Sequence, residues 1–450
     1  MIYSFVYSSS HPMASVIIFP RRYMRPWALL RVCNSWRNIA LNSPTLWSVL
    51  AFNFTGANPK IHPLQYRVPF QRALELSKNS NLSIQLTIHH PTIGDVNFLW
   101  KHIISTSSRW VTCDLSADYW EFREFLDVFR NIPNLRTLRL KAGTHTWFGD
   151  THGEPSEFFS TAAALRTVEF YGLEFLSLSL PLHRLTELSI HQPSRAGASS
   201  LFHQCIDGAV NLDTFSFHCK SEMIFDPLPN TVVHARLRKL TFVDSVPASL
   251  FWCSMPGLEE LVLFTKPTES HHPIYDNDVG DLCSFVERSN CPLRRLVIQQ
   301  PVPFSVFRSI VLCCSTSLTD LVLTIDWDDT VEELANCRLL PSLRTLSLSY
   351  LPRLSKVLFE DDSIYSMVRA RRDAGLERLT LSMPQSKFWV HADIPNHLAR
   401  LWNLTNGSFH IQFMYVGTDH FYEQESLEYL TNWIKEETSL GDRDNGAVHH

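Results

Sequence analysis

Glycine is scarce in this chain, 15 residues in 450. No Gly-rich phosphate loop is present, nor a G-x-S-x-G or H-E-x-x-H string, so nucleotide-cradling, serine-nucleophile and zincin chemistries have no motif to stand on. No Cys-x-x-Cys pair occurs among the ten scattered cysteines, and only Cys313 and Cys314 are adjacent. That usage reads as reduced core thiols, not a disulfide framework. No Lys/Arg run or basic stripe appears and the net charge is −5, which excludes nucleic acid as the main partner. No apolar run reaches the roughly 18 residues of a membrane span. Residues 13–19 are apolar, but no positive charge precedes them and Arg21-Arg22 follow, a poor order for a secretion signal. A cytoplasmic or nuclear location is expected. What remains is a chain with 45% hydrophobic and 19% charged residues, ample to bury a core.

The dominant pattern is a repeat, L-x-x-L-x-L. Copies begin at Leu135, Leu165, Leu185, Leu212, Leu237, Leu258, Leu293, Leu318, Leu343 and Leu376, with a weaker one at Trp110. Most spacings fall in or near the range of roughly 20–29 residues expected for leucine-rich repeats. In each copy the fourth and sixth positions should point inward from a short strand, and the first should anchor the turn before it. Helical segments are expected between copies at 95–108, 121–132, 199–210, 276–289, 304–314, 330–340 and 362–374. Strand, crossover and strand in one direction give a parallel sheet with outer helices. One such repeat cannot bury both its faces alone, so the array stacks. The Asn that usually follows the leucine run is absent here. The match is therefore to the looser leucine-rich repeats that follow F-boxes.

Ahead of the array lies PWALLRVCNSWRNIALNSPTLWSVL, residues 26–50. Leu29, Val32, Cys33, Trp36, Ile39 and Ala40 follow helical spacing, Pro26 suits a first turn, and Asn42-Ser43-Pro44 stops the helix. Ser43 is expected to cap a second short helix carrying Leu46, Trp47 and Leu50. The string L-x-x-V-C-x-x-W-R-x-I-A-x-x-x-P-x-L-W resembles the second half of the F-box, as found in fungal F-box proteins. Residues 1–25 lack the Leu-Pro-x-Glu helix with which that family opens, so the first half is missing or degenerate. Ile17-Ile18-Phe19 is the one stretch there that resembles a remnant of an apolar helix.

The resemblance implies a small helical unit that docks on the adaptor subunit of an SCF-type cullin–RING ubiquitin ligase, and through it on the cullin. Leu29, Val32, Cys33, Trp36, Ile39, Pro44, Leu46 and Trp47 are the adaptor-binding candidates. The repeats would hold an as yet unknown protein target, so the chain would be a non-catalytic substrate receptor. The alternative is a leucine-rich-repeat binding scaffold without ligase association.

Target binding is expected on the concave face, where positions three, five and seven of the template face outward. The early copies place Thr137, Arg139, Lys141, Glu169, Tyr171, Glu187 and His191 there. Later copies place Val243, Val262, Phe264, Val297 and Val322 there, an apolar row of the kind that marks a docking patch. No cofactor or metal is expected. His89-His90 and His271-His272 are adjacent pairs whose members face opposite ways on a strand. A loop with His145, Asp150 and His152 is the nearest thing to a metal cluster. The acidic runs at 326–329 and 360–362 precede helices, where carboxylates favour the dipole and the cap.

The expected organisation is an α/β leucine-rich-repeat solenoid, a parallel sheet with outer helices, over 83–416. It follows an N-terminal segment (1–25), a partial F-box-like helical domain (26–55), and a linker with one helix (56–82). A capping helix (417–438) and a disordered tail (439–450) follow it.

Overall fold

In the computed structural model of the protein, the described residues are 17–19, 27–55, 67–89, 102–117, 131–142, 159, 161–172, 180–191, 198–218, 231–243, 248–264, 276–299, 304–325, 328–350, 362–384, 400–401, 403–405 and 409–416. The chain divides into two compact units, Met1–Leu212 and Asp213–His450.

The first unit contains strands β1 (Ile17–Phe19), β2 (Val49–Thr55), β3 (Leu82–His89), β4 (Trp110–Ala117), β5 (Thr137–Ala142), β6 (Thr167–Tyr171) and β7 (Glu187–His191). Each pairs in parallel with the next in sequence. Helices α1 (Asn34–Leu41), α2 (Arg67–Ser77) and α3 (Ala198–Gly208) belong to this unit.

The second unit contains β8 (Thr214–His218), β9 (Val232–Val233), β10 (Lys239–Val243), β11 (Cys253–Ser254), β12 (Glu260–Phe264), β13 (Arg295–Gln299), β14 (Asp320–Ile325), β15 (Thr345–Tyr350), β16 (Arg378–Pro384) and β17 (His410–Val416). Its helices are α4 (Asp276–Ser289), α5 (Phe304–Cys314), α6 (Asp328–Ala335) and α7 (Ser363–Asp373). Here β9 and β11 form a separate parallel pair. The others pair in parallel in chain order, β8 to β10, β12 and so on to β17.

The template explains this packing. Fourth-position Leu240, Leu261, Leu296, Leu321, Leu346 and Leu379 are register partners from strand to strand, and all are buried. The sixth-position residues are buried beside them, as in Phe242, Leu263, Ile298, Leu323, Leu348 and Leu381. First-position leucines from Leu135 to Leu376 are buried in the turns. The helices contribute one stripe each, Leu282, Phe285, Val286 and Ser289 in α4, Phe307, Ile310, Val311 and Cys314 in α5, and Ile364, Met367, Val368 and Arg371 in α7. That i, i+3, i+4, i+7 spacing is the buried face of an amphipathic helix.

Adjacent copies are joined by a recurrent main-chain device. The carbonyl of the second template residue accepts the N–H groups of the second and third residues of the next copy. Arg136 O takes Arg166 N at 2.9 Å and Thr167 N at 3.0 Å, and Arg166 O takes Thr186 N and Glu187 N. The same double acceptor recurs at Asp213, Arg238, Glu259, Arg294, Thr319 and Arg344. It occupies both lone pairs of a carbonyl and leaves no strand-leading N–H unpaired at these joints.

Arginines supply a second joint. Arg371 is 1% exposed on α7 and donates to Leu334 O, to Leu340 O at 2.8 Å and to Asn336 O at 3.0 Å. These carbonyls lie at and just beyond the C-terminal end of α6, where a helix leaves its last carbonyls without intrahelical partners and favours positive charge. Arg109 does the same for Ser77 and Ser80 past α2, and Arg288 for Leu250 and Cys253.

Several expectations fare differently. The continuous helix through Leu29–Ala40 is broken: Leu29–Arg31 form a 3-10 turn, Cys33 is extended, and α1 begins only at Asn34. Ser43 does not cap the 3-10 helix Pro44–Trp47; its hydroxyl donates instead to Ile39 O at 2.7 Å. Pro44 does stand at the first turn of that helix. Ile17–Phe19 is a strand in register with Leu50–Phe52, not a helical remnant, which suits its two β-branched residues. Asp362 precedes α7 but makes no cap bond. Its carboxylate takes two bonds from Arg400, at 2.6 and 3.1 Å. The expected helices at 276–289 and 304–314 match α4 and α5 residue for residue. Those at 121–132 and 417–438 lie wholly or mainly outside the described residues, as does the 143–158 loop with His145, Asp150 and His152.

Candidate functional site

Two surfaces of the first unit and one of the second bear on function. The first is the helical stretch around α1. Trp47 is fully buried, donates its indole N–H to Ala40 O at 2.8 Å, and meets Trp27 edge-on at 4.8 Å between ring centroids. The 3-10 helix carrying it packs on α2. Arg37 ties α1 back to the preceding turn through Leu30 O at 2.9 Å. The outer side of α1 and of the turn before it is exposed. Val32 is 62% exposed, Ile39 55% and Trp36 47%, and Cys33 is exposed beside them.

The eight adaptor-binding candidates therefore separate. Val32, Cys33, Trp36 and Ile39 are exposed, Leu29, Pro44 and Leu46 are half-buried, and Trp47 is core. Three large apolar side chains in solvent within eight residues are a docking signature, because burial of such groups is the main driving force for association. Tryptophan is also the residue type that most often dominates binding energy.

The second surface is the open face of the first unit's sheet, opposite the buried leucines. Register places Asp114, Arg139, Glu169 and Ser189 in one row and Ser116, Lys141, Tyr171 and His191 in the next. Glu169 is the hub. Its Oε2 pairs with Arg139 Nε at 2.7 Å, and its Oε1 accepts the Tyr171 hydroxyl and faces His191 Nε2 at 3.4 Å. The Tyr171 and His191 rings stack at 3.8 Å and 13°, and Lys141 Nζ stands 5.8 Å from the Tyr171 ring centre. Burial by itself would raise the Glu169 carboxyl. The bonds from His191 and Tyr171 and the Arg139 charge outweigh it and hold the group down to about 2. Asp114 moves the other way: burial, aided by the Glu169 charge, raises it against Arg139 and Lys141. The Tyr171 hydroxyl is raised by burial and by its bond to Glu169. The result is a rigid plate of paired charges with one aromatic stack. Asp114 is the member that sequence reasoning missed, because it lies in the weak Trp110 copy; projecting the template onto that copy would have found it.

In the second unit the expected apolar row is less open than a docking patch. Val243 and Val297 are buried, which removes them as contact residues, while Val262, Phe264 and Val322 are half-buried. The cause is register. Val262, Val297 and Val322 are direct partners, as are Val243 and Phe264, so the branched side chains cover one another. Beside this row runs a charge ladder, Lys239, Glu260, Arg295 and Asp320, with Glu260 at 3.0 Å from Lys239 and 3.6 Å from Arg295. A further exposed spot, Phe251 with Arg288 5.3 Å from its ring centre, had no signal in the repeat pattern.

Among the described residues no group of three His, Cys, Asp or Glu side chains is placed to hold a metal ion, and no helix is long and apolar enough to cross a membrane. No family model matches the chain, and no curated protein matches it.

Proposed function

We propose that the chain is a substrate-receptor subunit of an SCF-type ubiquitin ligase, without a catalytic centre of its own. The segment around α1 docks the adaptor, and the leucine-rich repeats present a protein target. The observation that carries this reading is the exposed apolar surface of α1 and the turn before it, Val32, Trp36 and Ile39, standing over the buried Trp47. The residues that give the F-box-like string its character divide into those that hold the unit together and those that face outward, as an adaptor-binding module requires. In this role the protein accelerates transfer by holding the target near a separate enzyme, so its contribution is proximity. The target-facing candidates are the Glu169 plate with Tyr171 and His191, and the half-buried Val262, Phe264 and Val322.

A scaffold without ligase association is the second reading. One observation favours it: Ile17–Phe19 forms a strand on β2, where an F-box would have its opening helix. Co-precipitation of the adaptor subunit with the full chain separates the two. The first reading expects the adaptor to be retained by the wild-type chain and lost from a chain lacking residues 1–55. Trp36→Ala alone is expected to weaken binding by about 2 kcal/mol, roughly 30-fold. Because Trp36 lies on the surface, the variant's melting temperature should match the wild type. No retention by the wild-type chain would refute the ligase reading and leave the scaffold.

A further inference from the structure

Nine of the ten cysteines lie among the described residues and all nine are free thiols. Two of them stand apart. Cys283 is on α4 and Cys313 on α5, and these helices pack against each other. The two side chains face one another across the helix pair closely enough to influence each other's ionisation. Cys313 Sγ also lies 3.4 Å from Glu287 Oε1, and Glu287 is one turn along α4 from Cys283, on the same helix face. Both thiols are partly exposed, whereas Cys113, Cys205, Cys253 and Cys314 are buried. Nothing in the proposed docking role uses this pair.

We propose that Cys283 and Cys313 form a reversible dithiol–disulfide site that reacts with small disulfides of the glutathione class. The hydrogen-bond polarity assigns the roles. The Cys313 proton is held between Ser309 O at 3.2 Å and Glu287 Oε1 at 3.4 Å, which leaves Cys283 the easier of the two to ionise. The Cys283 thiolate attacks one sulfur of glutathione disulfide, forming a mixed disulfide and releasing one glutathione thiolate. The Cys313 sulfur then attacks the Cys283 sulfur. The second glutathione thiolate leaves, and the Cys313 proton passes to the Glu287 carboxylate and on to solvent. The two protein thiols lose two electrons together, and one glutathione disulfide becomes two glutathiones. Burial and the Glu287 carboxylate raise both thiols, Cys313 to about 12, so the pair is stored protonated and exchanges slowly. Closure ties α4 to α5 across the strand between them, β13, and so pins two neighbouring repeats together.

The test uses the full chain, equilibrated in buffers of graded glutathione to glutathione disulfide ratio. Free thiols are then alkylated and the digest is mapped by mass spectrometry. Arg288, Arg294, Arg295 and Arg308 lie between the two cysteines, so trypsin separates them into different peptides. A Cys283–Cys313 linked peptide that grows with the disulfide fraction and disappears on dithiothreitol treatment is the expected result. It should vanish in Cys313→Ser, leaving glutathione on Cys283, and persist in Cys314→Ser. The oxidised wild-type chain should melt at a higher temperature than the reduced chain. Wild-type protein that carries only mixed glutathione adducts, or that links Cys314 or Cys337 in place of Cys313, would overturn the proposal, and that readout depends on no variant folding.

Discussion

Arg371→Met tests how far a backbone carbonyl depends on a side chain from the next repeat. The substitution keeps much of the aliphatic stem and removes the guanidinium that serves Leu334, Asn336 and Leu340. Each of the three carbonyls left without a donor in the interior costs about 1–3 kcal/mol. The guanidinium's own burial, which pulls its pKa below the usual arginine value, is relieved at the same time and offsets part of that loss. The net expectation is a destabilisation of about 3 kcal/mol for Arg371→Met, with about 1–2 kcal/mol more for Arg371→Ala because a cavity opens as well. Neighbouring Arg372, which pairs with Asp373 near the surface, provides the control, and Arg372→Ala should cost under about 1 kcal/mol. Urea denaturation followed by circular dichroism gives the free energies. Amide exchange should accelerate at the C-terminal end of α6 and across α7. An Arg371→Met chain within about 1 kcal/mol of wild type would refute the reasoning, because it would mean that these carbonyls find water or other donors once the arginine is gone.

Gly257→Ala should also destabilise. A Cβ there would sit 2.3 Å from Ala235 O, a main-chain atom, whereas at Gly208 the nearest obstacle is the flexible end of Leu182 at 2.9 Å. A loss of about 2 kcal/mol is expected for the first, and a clearly smaller one for the second, by denaturant midpoint. Glu169→Gln should expose a pH dependence. The folded carboxyl sits near 2 against an ordinary 4.5, so its stabilisation is complete above about pH 4.5 and is lost as pH falls towards 2. The melting-temperature gap between wild type and Glu169→Gln should therefore narrow from pH 5 to pH 3. A gap that widens would place the titration elsewhere. Asp114, raised in the fold, acts with the opposite sign in both chains.

The leucine template carried most of the architecture into view. A period that repeats ten times states its strand positions ten times, and the inward alternation of fourth and sixth positions follows from pleat geometry alone. Helices with a clean four-residue stripe, such as α4 and α5, were equally legible. The 26–41 segment was misread because helical spacing in side chains does not report a break in the backbone. Leu29, Val32, Trp36 and Ile39 keep the spacing, yet extended Cys33 interrupts the helix. The division of that segment into core and surface was hidden for a related reason, since Trp36 and Trp47 are the same residue type and are distinguished by tertiary contacts, the Trp47 bond to Ala40 O and its edge-on contact with Trp27. The valine row failed as an exposed patch because its members shield one another across strands, a pairing that needs exact register. The arginine joints were overlooked: the spacing of Ile364, Met367 and Val368 puts Arg371, and not Arg369 or Arg372, on the inward stripe, but a charged residue there gives no sign of the carbonyls it serves.

The doubly accepting carbonyls have a consequence for how such a chain can change. The link between neighbouring copies belongs to the main chain and is indifferent to the side chain that carries it, so arginine, aspartate, glutamate and threonine all serve. The link from Arg166 spans copies starting at Leu165 and Leu185, and that from Glu259 spans copies starting at Leu258 and Leu293, although 20 residues separate the first pair and 35 the second. Outward side chains and intervening loops are thus free to diverge while each copy keeps its neighbour. Recognition can be rewritten residue by residue on a framework that never has to be renegotiated.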